Sequence, residues 1–103
     1  MEKSRLEKLQ EFVAANPSDS FVRYVLAQEF LRGGQLDPAL GQFRELLRLN
    51  PNYAAAYYHT GQTLEKLGRP EEAKEIYSQG IELTARLGDE HAKSELQAAL
   101  DLL

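Results

Sequence analysis

The sequence predicts an all-α protein, a stack of antiparallel helix hairpins with about six helices, and three observations carry that prediction. Displaced by 34 positions, the chain matches itself: Pro51 falls on Pro17, Tyr58 on Tyr24, Gln62 on Gln28, Gly68 on Gly34, Ala73 on Ala39 and Leu83 on Leu49, with Tyr77 on Phe43. A fixed period of that length is the mark of a stacked repeat. Within each period the apolar residues recur at spacings of three and four, the stripe of an amphipathic helix. Glycine and proline punctuate the stripes where helices must stop.

The elements follow in order. Residues 2–15 place Leu6, Leu9, Phe12 and Val13 on one face among charged residues, which predicts a helix in need of a partner. Asn16-Pro17 ends it, because proline disfavours the helical conformation in the residue before it and lacks an amide donor. Phe21, Val22, Val25, Leu26, Phe30 and Leu31 give a broad stripe from about Ser18 to Arg32, closed by Gly33-Gly34. Asp37 is the expected N-cap of the next helix, with Pro38 at its first position and Ala39, Leu40, Phe43, Leu46, Leu47 and Leu49 along its buried side.

The second unit repeats the plan. A helix over about 52–67 carries Ala56, Tyr57, Leu64 and Leu67; Gly68 turns the chain; Pro70 opens a helix with Ala73, Ile76, Tyr77, Ile81 and Leu83. Ala27 matches Gly61 and Ala39 matches Ala73, small residues that let helix axes approach while Phe30, Phe43, Leu64 and Tyr77 fill the space between them. After Leu87-Gly88, Asp89 caps a last helix to about Leu102, with Leu96, Ala99, Leu100 and Leu103 inward and Glu90, Lys93, Glu95 and Asp101 outward. The expected organisation is one domain over 1–103: an N-terminal helix at 2–15, repeats at 18–51 and 52–85, and a terminal capping helix at 89–102.

Composition bounds the function. The 43% apolar and 27% charged content of these 103 residues is that of an ordinary folded chain. Up to Pro51 seven acids meet seven bases, whereas nine acids and five bases lie beyond it, so the net charge of -4 belongs to the second half. A nucleic-acid binder shows a basic stripe that neutralises phosphates, and none is present; no nucleic-acid partner is expected. The absence of cysteine removes disulfides, thiolate catalysis and cysteine metal sites. The charged start MEKSRLEKLQEF does not resemble a signal peptide and no apolar run approaches a membrane span, so a cytoplasmic location and no membrane partner are expected.

The repeats resemble the tetratricopeptide repeat (TPR), whose 34-residue signature runs through large, small and aromatic positions. The second unit resembles it through Tyr57, Gly61, Leu64, Gly68, Ala73, Tyr77, Gly80 and Leu83, the first through Leu26, Ala27, Phe30, Gly34, Ala39, Phe43, Leu46 and Pro51. Three places depart from it: Arg23 stands for an aromatic, Thr60 for a leucine and Ala85 for the closing proline, so the first unit's leading helix is expected to pack less tightly and the helix before Gly88 to run on to Arg86 or Leu87. The N-terminal helix falls in phase as the second helix of a hairpin, with Leu9 and Phe12 at the places of Phe43 and Leu46. The resemblance implies a right-handed α-solenoid and a non-catalytic scaffold for protein-protein interaction.

Residue chemistry agrees with that implication. Only His59 and His91 are available as neutral-pH bases, and neither lies in a metal-binding pair. Gly33-Gly34 lacks the surroundings of a phosphate loop, and Glu71, Glu72 and Glu75 sit in the first turns of a helix, where the backbone dipole favours negative charge. No enzyme activity, cofactor or metal is expected.

In the family, the first helix of each hairpin lines a concave groove that holds an extended peptide or a partner's helix. The resemblance therefore implies Phe21, Tyr24, Gln28, Leu31 and Arg32 from the first unit, and Ala55, Tyr58, His59, Gln62, Glu65 and Lys66 from the second, as groove residues. Tyrosine supplies contact area with a hydroxyl, and glutamine bonds peptide amides at both ends. The competing role for these tyrosines is packing between helices. Self-association into a symmetric homodimer through the same aromatic surface is the alternative reading. Tyr24, Gln28 and His59 hold places where some family members carry the lysine, arginine and asparagine of a carboxylate clamp, so binding of a chaperone's tail is not expected.

Overall fold

The computed structural model describes residues 2–103 and contains six helices: α1 (Arg5–Ala15), α2 (Ser20–Arg32), α3 (Leu36–Leu49), α4 (Ala54–Lys66), α5 (Pro70–Leu87) and α6 (Glu90–Asp101). No strand occurs among the described residues. The helices fall into two compact units, Met1–Pro51 and Asn52–Leu103, divided where one 34-residue period gives way to the next.

In the first unit α2 packs on both α1 and α3. The α2-α3 hairpin turns at Gly34, whose φ of +75° lies in the left-handed region that a side chain resists. Leu26, Ala27 and Phe30 of α2 and Ala39, Leu40, Phe43 and Leu46 of α3 form its core. Arg23 is buried beside them, its guanidinium donating to the Pro17 carbonyl and to Gln42 Oε1, each at 2.8 Å. An arginine thus fills the place of the aromatic by spending two donors on fixed acceptors.

The second unit is the α4-α5 hairpin with α6 packed on α5 and α4. Ala56, Tyr57, Thr60, Thr63 and Leu64 of α4, Ala73, Tyr77, Leu83 and Thr84 of α5, and Leu96 and Ala99 of α6 are buried. Thr60, at the place of a leucine, donates its hydroxyl to the Ala56 carbonyl at 2.6 Å, which satisfies the polar atom inside the core.

Several local expectations change. α1 starts at Arg5, because Ser4 and Glu7 form a capping box in which each side chain bonds the other's backbone. Asp37 is not the cap of α3: the helix begins two residues earlier than expected, with Gln35 at the cap, Leu36 first and Asp37 in the first turn. Phe21 and Phe12 are exposed although both lie on apolar stripes, and Leu103 is exposed at the end of α6. As expected, α5 runs to Leu87 and Asp89 caps α6, accepting from the Ala92 amide at 3.1 Å. No described helix is long and apolar enough to cross a membrane.

Candidate peptide-binding face

Helical spacing puts Tyr58, Gln62 and Glu65 on one side of α4, three and four residues apart. α6 stands opposite and completes a cleft of about 350 Å³ with Glu95, Ala98, Ala99 and Leu102. The floor is held by hydrogen bonds to the neighbouring helix. Tyr77 of α5 is buried, and its hydroxyl donates to the Glu65 carboxylate while accepting from Gln62 Nε2 at 2.6 Å. The same Gln62 amide lies 3.2 Å from Glu65 Oε2, so three side chains share one closed network. Burial and the Glu65 carboxylate push the Tyr77 phenol well above its ordinary value of 10.

Gly61, on the buried side of α4, makes this arrangement possible. A β-carbon there would overlap the Tyr77 ring, so the ring lies against bare backbone and its hydroxyl reaches Gln62 and Glu65. His59 is half-buried and edge-on to the Tyr58 ring, with centroids 5.6 Å apart. Burial lowers its imidazole below the usual 6.5, with the Glu95 charge opposing. Ala55 and Lys66 are exposed, and neither they nor His59 line the cleft.

On α2 the equivalent positions are organised more simply. Gln28 Nε2 donates to the Tyr24 hydroxyl at 3.1 Å, and the Tyr24 ring meets Phe43 edge-on at 6.3 Å. Tyr24, Gln28 and Leu31 are half-buried and Arg32 is exposed. Phe21 lies apart from them, lining a groove between α1 and α2 with Leu9 and Phe12. Both tyrosines are half-buried, neither sealed core nor free surface.

Sequence reasoning missed the α6 wall: Glu95 is exposed as expected and also lines the cleft. The Asp89 cap, which accepts from the Ala92 amide, signals in the sequence that a helix begins there, but not which residues of that helix face α4. Among the described residues no group of three His, Asp or Glu side chains converges to hold a metal. The acidic run on α5 resolves into ion pairs, Glu72 with Arg69 and Glu71 with Lys74.

The family profile of the tetratricopeptide repeat matches residues 24–86, more than half of the chain. A TPR repeat-containing protein of Pseudomonas aeruginosa is 23% identical over 92% of this chain and 90% of its own length. The crystal structure of a tetratricopeptide repeat domain protein from Salinibacter ruber is 43% identical, covers 80% of this chain and 91% of its own, and superposes with a TM-score of 0.76. The solution structure of a Bordetella parapertussis protein reaches a TM-score of 0.82 over 97% of this chain and 87% of its own, at 26% identity. With helix hairpins repeating at 34 residues and a family profile that matches residues 24–86 across most of both, the chain belongs to the tetratricopeptide repeat family.

Proposed function

We propose that this chain is a non-catalytic interaction scaffold that holds a peptide or a partner's helix on the α4 face lined by Tyr58, Gln62 and Glu65, with the equivalent α2 face of Tyr24 and Gln28 as a second recognition surface. The family's general use in binding proteins supports the class of function. The observation that supports the place is the α4-α6 cleft, where an aromatic edge, an amide and two carboxylates surround about 350 Å³. Glu65 and Glu95 favour a segment that brings backbone amides or a lysine or arginine side chain.

Selection from a displayed peptide library tests this reading. Selected peptides are expected to bind the chain in the micromolar range and to lose affinity with Tyr24→Ala combined with Tyr58→Ala, while circular dichroism holds. Loss of helix content in that variant would assign the tyrosines to the core. Selected peptides indifferent to the substitutions would move the site elsewhere.

A further inference from the structure

The 34-residue phase places α1 as the second helix of a hairpin, with Lys8, Leu9 and Phe12 at the positions of Gln42, Phe43 and Leu46. In α3, Phe43 and Leu46 are sealed because α2, the hairpin partner, lies over them. In α1 the corresponding residues open onto a groove of about 470 Å³, walled by Phe21, Val22 and Val25 of α2 and rimmed by Arg5 and Lys8. Phe12 is 48% exposed and Phe21 64% exposed, so two phenyl rings meet water in one patch. Residues three and four apart on α1 present the ridge that a packing helix straddles.

We propose that this groove takes an amphipathic helix from a protein partner, packed on α1 as α2 packs on α3, with an aspartate or glutamate of that helix on Lys8. The charge preference is read from the filled hairpin. There α2 presents Arg23 to Gln42, Nη1 to Oε1 at 2.8 Å. On α1 the position of Gln42 is held by Lys8, which is exposed, so a cation at the Arg23 place of the incoming helix meets a like charge and a carboxylate meets its complement. Arg5 is already matched by Glu29 of α2 at 3.0 Å, which leaves Lys8 as the rim charge for the partner to answer. A second copy seated groove to groove would bring a second Lys8 and, from its own groove lining, no carboxylate to answer it. The surface is separate from the recognition face of α4 and α6, and shares no residue with it.

The probe is the chain's own α2 segment, residues 18–34, made as a labelled peptide with Arg23→Glu and compared with the unaltered peptide by fluorescence polarisation against the intact chain. The glutamate peptide is expected to bind in the micromolar range and about tenfold more tightly than the arginine peptide. Lys8→Glu in the chain should invert that order, and Phe12→Ala should weaken binding by about tenfold or more with circular dichroism unchanged. Tyr58→Ala should leave the affinity alone, which separates this site from the α4 face. No binding of either peptide overturns the proposal, as do equal affinities that ignore Lys8→Glu. Sedimentation of the free chain as a dimer that Phe12→Ala dissolves also overturns it, because the occupant is then a second copy.

Discussion

Tyr77 and Phe43 occupy the same place in successive repeats, and the hydroxyl that separates them is matched one helix away. Where α5 carries Tyr77, α4 carries Glu65 to accept its hydrogen bond; where α3 carries Phe43, α2 carries Leu31. A buried hydroxyl needs a partner, and a phenyl ring at position 77 would remove one of the two donors that meet Glu65, leaving the Gln62 amide. Tyr77→Phe is therefore expected to cost about 1–2 kcal/mol in urea unfolding, and adding Glu65→Leu should recover part of it; simple additivity of the two would show that the pair is not coupled. Gly61→Ala drives a methyl group into the Tyr77 ring and should destabilise by about 1–3 kcal/mol or more, whereas Gly41→Ala, which meets nothing within 4 Å, serves as its control.

At the scale of the element, the caps explain where helices begin better than the stripes do. Asp19 accepts from the Val22 amide at 3.1 Å, and Asp89 does the same for Ala92. Asp19→Ala is expected to lower stability by about 1 kcal/mol, while Asp37→Ala, which removes only a first-turn charge from α3, should cost a few tenths; equal losses would mean that Asp37 caps after all. The stripes of α2 to α5 were legible because each helix is covered by a hairpin partner, and Leu26, Phe43, Leu64 and Leu83 are accordingly buried. Phe12 and Phe21 follow the same spacing yet stand in water, since periodicity reports which face is apolar and not whether anything lies over it.

For the whole molecule, the clearest test is stability against pH. The His59 imidazole is held below 6.5, so its neutral form belongs to the folded state, and the contribution it makes above that pH is lost as pH falls through its folded value. Burial holds the Tyr57 and Tyr77 phenols above 10, so the contribution of these groups is complete below pH 10 and disappears as pH rises beyond it. Urea midpoints across pH should show a plateau between the two limbs, with His59→Gln softening the acid limb and Tyr77→Phe the alkaline one. A curve unchanged by either substitution would refute the assignment.

The 34-residue period, the spacing of apolar residues and the placement of Gly34, Gly68 and Pro70 determined the helices, their hairpin pairing and the family, because those features are local and act through backbone geometry and the solubility of one face. The tertiary structure alone decided that Tyr77 reaches through to Gln62 and Glu65, that α6 walls the cleft with Glu95 and Leu102, and that the α1-α2 groove stays open. Each of these depends on which side chains distant in sequence come within a few ångströms, a matter of packing in three dimensions that no spacing along one helix encodes.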